Sequence, residues 1–203
     1  MIAIRPALLT ALALAAGATA AEAPCPCHAG KPAAAPARAA VTRTAHAYAP
    51  PDVTLIDQDG RPVAVAEALA QGGPLVVNFI FTTCTTICPV MSASFAGLQR
   101  QLGAAGEGLR MVSITIDPAH DRPAELEAYA RRHGAGPGWT FLTGREEDVR
   151  AVASAFDAWV ADKAEHRAFT LLRPAGSATW VRVEGLAGAA ALAEALQPLQ
   201  AGR

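Results

Sequence analysis

The chain is poor in the residues that mark several large function classes. Charged residues fill only 17% of its 203 positions, the formal net charge is −1, and no basic run occurs. Aromatic residues make up 5% and do not alternate with lysine or arginine. No glycine-rich loop is placed to cradle a phosphate. These absences argue against nucleic acid as a partner. Long apolar runs are lacking too. Alanine inflates the 52% apolar content, and the apolar stretch near the N-terminus is short for a membrane span.

One stretch stands out, Leu75 to Pro89. It begins as a short apolar run rich in Val, Ile and Phe, the pattern of a strand buried on both faces of a sheet. The run stops at Thr82-Thr83, and two cysteines follow, Cys84 and Cys88. Pro89 suits the first turn of a helix, and Met91, Phe95, Leu98 and Leu102 recur as one helical apolar face. The stretch therefore predicts strand, short loop, helix, with Cys84 in the loop and Cys88 about where the helix caps. A thiol at a helix N-terminus loses its proton more easily, and the thiolate is both nucleophile and metal ligand. Two soft thiolates at this spacing suit Cu(I), Zn or a reversible disulfide. Two buried cysteines acting as small hydrophobes are the plain alternative.

The N-terminal segment reads as a targeting signal. Arg5 supplies a positive region, Ala7 to Ala16 an apolar one, and Ala18-Thr19-Ala20 or Ala21-Glu22-Ala23 a cleavage site. Residues 1–23 are thus expected to be a signal peptide of an exported, periplasmic protein, with an uncleaved membrane anchor as the alternative. Membrane association is expected through this segment alone. An oxidising compartment would turn an unprotected thiol pair into a disulfide. Residues 24–51 are Ala- and Pro-rich without periodicity, the pattern of a flexible tether. Inside it lies Cys25-Pro26-Cys27-His28, either an auxiliary soft-metal site or an incidental tail.

Residues 52–203 are expected to form the folded domain. A small hairpin over Val53 to Val63 and a short helix over Val65 to Ala70 precede the central strand and helix. Strands then alternate with helices: Met111 to Ile116, Pro123 to His133, Trp139 to Leu142, Glu146 to Phe156. A hairpin of Ala168 to Leu172 and Trp180 to Val183 follows, then a helix from Ala189 to Gln197 stopped by Pro198. That order predicts an α/β, thioredoxin-like three-layer α/β/α sandwich with an N-terminal β-hairpin extension. In open α/β sheets sites lie beyond the carboxyl ends of strands, where Cys84 falls.

Three ordered motifs resemble the Sco/SenC family. Phe81-Thr82-Thr83-Cys84-Thr85-Thr86-Ile87-Cys88-Pro89 resembles its cysteine motif. Ile114 to Pro123, with Asp117-Pro118 and Asp121-Arg122-Pro123, resembles its second signature. His166, just before the strand at Ala168, lies where that family carries its metal-binding histidine. The resemblance implies a thioredoxin-like fold binding copper, as Cu+ or Cu2+, through Cys84, Cys88 and His166. It implies a cuproenzyme client such as a cytochrome c oxidase subunit, and for some members a role as thiol–disulfide reductant.

Two functional classes follow: a metallochaperone, and an extracytoplasmic thiol–disulfide oxidoreductase in which one cysteine attacks and the other resolves. The three-residue spacing and His166-Arg167 favour the first. A thiol reductant is an expected partner in either case, and a peroxiredoxin-like peroxidase is a minor third reading. Asp117, at a strand end, could approach the cysteine loop and tune its charge. Asp121, before Arg122-Pro123, reads as a helix cap.

Overall fold

The computed structural model describes residues 41–70, 73–103, 108–173 and 177–200. The proposed signal peptide and the Cys25, Cys27, His28 cluster lie outside these residues. Strands β1 (Arg43–His46), β2 (Thr54–Asp57) and β3 (Pro62–Ala64) lead into helix α1 (Val65–Ala70) and strand β4 (Leu75–Ile80). Then come α2 (Ile87–Leu102), β5 (Arg110–Thr115), α3 (Pro123–Arg132), β6 (Trp139–Thr143) and α4 (Glu146–Ala155). Strands β7 (Phe169–Arg173) and β8 (Trp180–Glu184) and helix α5 (Ala189–Gln200) complete the order.

The eight strands among the described residues form one sheet in the order β1-β8-β7-β4-β5-β6-β2-β3. The apolar run Leu75 to Ile80 is its inner strand, buried at every residue, because it has a neighbour on each side and helices above and below. It runs parallel to β5, and β5 parallel to β6; α2 and α3 supply the crossovers that parallel pairing requires. The hairpin β2–β3 turns through Asp57 to Gly60, where Gly60 takes φ +79° and the Asp57 carboxylate accepts the N–H groups of Asp59 and Arg61. It pairs antiparallel with β6 and so extends the sheet at that edge.

Successive residues of β4 serve opposite faces. Asn78 Oδ1 accepts the Ser113 hydroxyl, which in turn accepts the Trp139 indole N–H, and that indole lies on Phe95 of α2. Tyr129 of α3 shares this face through a 2.8 Å hydroxyl pair with Ser92 of α2, and α5 packs on α2. Phe79, the next residue along, meets Phe156 after α4 and Phe169 of β7 on the other face. Helices therefore cover both sides of the sheet, the expected three-layer thioredoxin-like arrangement.

Two expectations need correction. The tether was expected to run to residue 51, yet Arg43–His46 form an edge strand on β8 in register Arg43↔Val183 to His46↔Trp180. Its side chains are mostly exposed, so no apolar alternation marks it; backbone bonds alone hold it to the sheet. The terminal helix continues through Pro198 to Gln200. A proline in the last turn forfeits one donor without ending the helix.

Candidate functional site

β4 ends at Ile80, and the chain turns at Phe81, whose carbonyl accepts the Cys84 N–H at 3.1 Å. Residues 82–86 then carry the chain to α2. Thr86 caps the helix in position, but its hydroxyl accepts no backbone N–H of the first turn. The Cys84 sulfur takes that place instead, accepting the Cys88 N–H at 3.5 Å and lying 3.6 Å from the Thr86 hydroxyl. An unpaired donor of the first helical turn is thus aimed at sulfur. Cys88, expected about at the cap, lies within that first turn.

Both thiols are unbridged and buried, with Cys84 8% and Cys88 0% exposed. Their acidities are driven apart. Burial pushes Cys84 up, but the N–H groups of Cys88 and Thr86 and the neighbouring side chains outweigh it, leaving the thiol below its ordinary value. Burial pushes Cys88 well above the ordinary thiol range; the Phe81 backbone bond opposes this, and the Cys84 and Asp121 charges add to it. One sulfur is prepared to be thiolate while the other keeps its proton.

His166 follows a 3-10 turn, Lys163–Glu165, directly before β7. It is 8% exposed, and its Nε2 lies 2.9 Å from the Phe79 carbonyl. A carbonyl accepts only, so Nε2 carries the proton and Nδ1 keeps its lone pair. Burial holds the imidazole below its ordinary value despite the Phe79 bond, which keeps it neutral at pH 7 and fit to ligate. The ring meets Phe81 and Phe169 edge-on at 6.4 and 6.5 Å. Cys84 and His166 thus both lean on the end of β4, one through the Phe81 carbonyl, the other through the Phe79 carbonyl. Among the described residues, no three His, Cys, Asp or Glu side chains converge as a metal-holding group. The two cysteines are together; the imidazole turns its Nε2 to the strand, at the Phe79 carbonyl.

Asp117 makes no hydrogen bond to the cysteine loop. Its carboxylate pairs with Lys163 Nζ and, at 3.0 Å, with His120 Nδ1. Burial pushes it up, but these partners outweigh burial and hold it below the usual carboxylate value. Lys163 also lies over the Phe81 ring, 5.4 Å from its centroid. Asp117 therefore anchors the turn that leads into His166.

Asp121 is not the cap its position suggested. Arg122 occupies the N-cap of α3, and no side chain caps that helix. Asp121 is 0% exposed and turns inward. It accepts the Thr82 N–H at 3.0 Å, the Thr82 hydroxyl at 2.5 Å and the Thr115 hydroxyl at 2.6 Å. No sequence signal separates these two roles, because an aspartate before Arg-Pro suits a cap equally well. Lys163 was also missed; a lone lysine in a polar loop carries no mark of a buried partner.

A family model described as SCO1/SenC matches residues 42–181. The SCO1 protein homolog of Bacillus subtilis (strain 168) is 39% identical over 92 residues, 45% of this chain and 47% of that protein. The chain spans about half the length of the curated relatives it matches. Among solved structures, BsSco, a Sco-family cytochrome c oxidase assembly protein with a disulfide switch, is 26% identical. It superposes with a TM-score of 0.64 over 77% of this chain and 95% of that one. Copper-bound ScoI of Arabidopsis thaliana, 19% identical, reaches a TM-score of 0.63 over 76% and 99% of the two chains, a likeness of fold alone. The strand–dithiol–helix corner, the histidine before β7 and the match over 42–181 agree: the chain belongs to the SCO1/SenC family.

Proposed function

We propose that the protein is an exported, periplasmic copper chaperone. It holds one copper ion through Cys84, Cys88 and His166 and passes it to a cuproenzyme such as the copper centre of cytochrome c oxidase. The observation that carries this reading is the unbridged Cys84–Cys88 pair at the start of α2, with a buried imidazole bonded to the same strand end, at the Phe79 carbonyl. Two thiolates suit Cu(I), and an imidazole suits copper in either oxidation state. His166 would offer them the Nδ1 lone pair while its Nε2–H stays on the Phe79 carbonyl, the usual support of a ligating histidine. Asp117 and Lys163 hold the turn that leads into it. Family membership and the copper-bound and oxidase-assembly relatives support the same cargo and client. Membrane association, if any, rests on residues 1–23, and Cys25, Cys27 and His28 are an auxiliary soft-metal site. Among the described residues no helix is long and apolar enough to cross a membrane.

The test is anaerobic titration of the reduced chain, with Cys25 and Cys27 replaced by Ala, against Cu(I) and Cu(II). One bound ion with thiolate-to-copper absorption is expected; no binding of either ion sinks the reading.

The divergent acidities of the two sulfurs favour a second reading, a thiol–disulfide oxidoreductase. The Cys84 thiolate attacks a client disulfide, and one client sulfur leaves as a thiolate. Cys88, once deprotonated, then attacks the mixed disulfide, releasing the second client sulfur and closing Cys84–Cys88. The client gains two electrons, and an external thiol reductant restores the pair. Both activities can serve one client, whose cysteines must be reduced before they take copper.

A further inference from the structure

Among the described acidic residues, Asp121 is the one with no exposed surface, and no cation pairs with it there. Burying a carboxylate is costly unless hydrogen bonds compensate. Its three donors come from two places only: the N–H and hydroxyl of Thr82, and the hydroxyl of Thr115. Thr115 in turn accepts the Asp117 N–H at 2.9 Å. Thr115 ends β5 opposite Ile80 of β4, and Thr82 opens the loop that reaches Cys84 two residues later. The helix that Asp121 precedes makes no use of it. The carboxylate instead ties the end of β5 to the first residue of the cysteine loop.

We propose that Asp121 is the positioning residue of the dithiol: by clamping the Thr82 N–H and hydroxyl, it fixes the loop so that the Cys84 sulfur meets the Cys88 N–H, and thereby sets the redox balance of the pair. This rests on Cys84 and Cys88 being the working sulfurs, but not on copper. The clamp needs a carboxylate. Both oxygens only accept, whereas an asparagine amide would place a donor N–H2 against a hydroxyl or N–H that is itself donating. Loosening the loop takes the N–H away from the Cys84 sulfur. The reduced form loses that support, and a dithiol whose reduced form is less stabilised oxidises more readily.

The experiment equilibrates the full chain, with Cys25 and Cys27 replaced by Ala, against dithiothreitol. The Cys84–Cys88 bond breaks, two S–H groups form, and the reagent closes its own disulfide, so two electrons and two protons pass to the protein. Asp121→Asn should lower the equilibrium constant for reduction by about tenfold, the order of one lost hydrogen bond to a charged group. It should also slow Cys84 alkylation by iodoacetamide. Thr82→Val, which keeps the N–H and loses the hydroxyl, should shift both the same way by less. Ser113→Ala destabilises the sheet away from the loop and should leave the constant unchanged, which separates positioning from general loss of stability. A folded Asp121→Asn with a constant within about twofold of the parent overturns the proposal; if that variant does not fold, an unchanged constant in Thr82→Val does so. Failure of the parent to bind copper would overturn the chaperone reading and leave this result standing.

Discussion

At the scale of single residues, His166 separates copper binding from thiol chemistry. His166→Ala should weaken copper binding by about ten- to a hundredfold, the usual cost of losing a ligand or its support. Cu(II) should suffer more than Cu(I), since two sulfurs alone can hold Cu(I). The Cys84–Cys88 couple should stay nearly intact. Competition against a chromophoric chelator reads the affinities, and equal values for parent and folded variant would remove His166 from the site. Lys163 offers a pH test. Its partner Asp117 has a folded pKa below the ordinary carboxylate value, so the folded state gives up that proton more readily than the unfolded chain. The resulting stabilisation is present above the unfolded value, about 3.9, and is lost as pH falls through the folded value. Lys163→Met should therefore lower the urea midpoint at pH 7, with a smaller gap to the parent at a pH acid enough to protonate the folded Asp117, where the lost Phe81 contact remains. A gap of equal size at both pH values would mean the ion pair does nothing. Cys84 and Cys88 were legible in sequence because a buried-strand pattern and a helix-start proline bracket them. Asp121 was not, because burial is a property of the surroundings.

At the scale of elements, β1 is the informative case. The strands and helices from β2 to β8 announced themselves through apolar runs, helical spacing and Gly or Pro breaks. β1 could not, since Arg43-Thr44-Ala45-His46 holds the sheet by backbone bonds and shows its side chains to solvent. The segment after it still matters: the Tyr48 ring stacks on His46 and tilts onto Phe156 at 5.3 Å, and its hydroxyl meets Arg182. A chain starting at Arg38 keeps every described element, and should melt with the parent. A chain starting at Asp52 loses β1 and the Tyr48–Phe156 pair, the latter worth roughly 0.5–1.5 kcal/mol beyond its buried area. It should melt lower by at least about 2–4 °C, the shift for each kcal/mol at this size. Equal melting of the two truncations would make β1 dispensable.

At the scale of the whole molecule, metal, disulfide and fold are coupled, because only free thiolates can ligate. Cu(I) should raise the melting temperature of the reduced protein and leave the oxidised protein unmoved. At a thousandfold excess over the dissociation constant the gain is about 4 kcal/mol. A matching rise in the oxidised form would place the metal elsewhere. The alternating element order revealed the layers in advance; the strand order did not show, because nothing local says which edge a hairpin joins. That order restricts how another polypeptide can approach the sheet. One margin of the sheet is β3, three residues long and opened by Pro62; the other is β1, four residues long. Short margins, one without a full set of N–H donors, are poor templates for an incoming strand. The sheet therefore offers little margin for strand addition, and the sulfurs are reached from the loops at the carboxyl ends of β4 and β5.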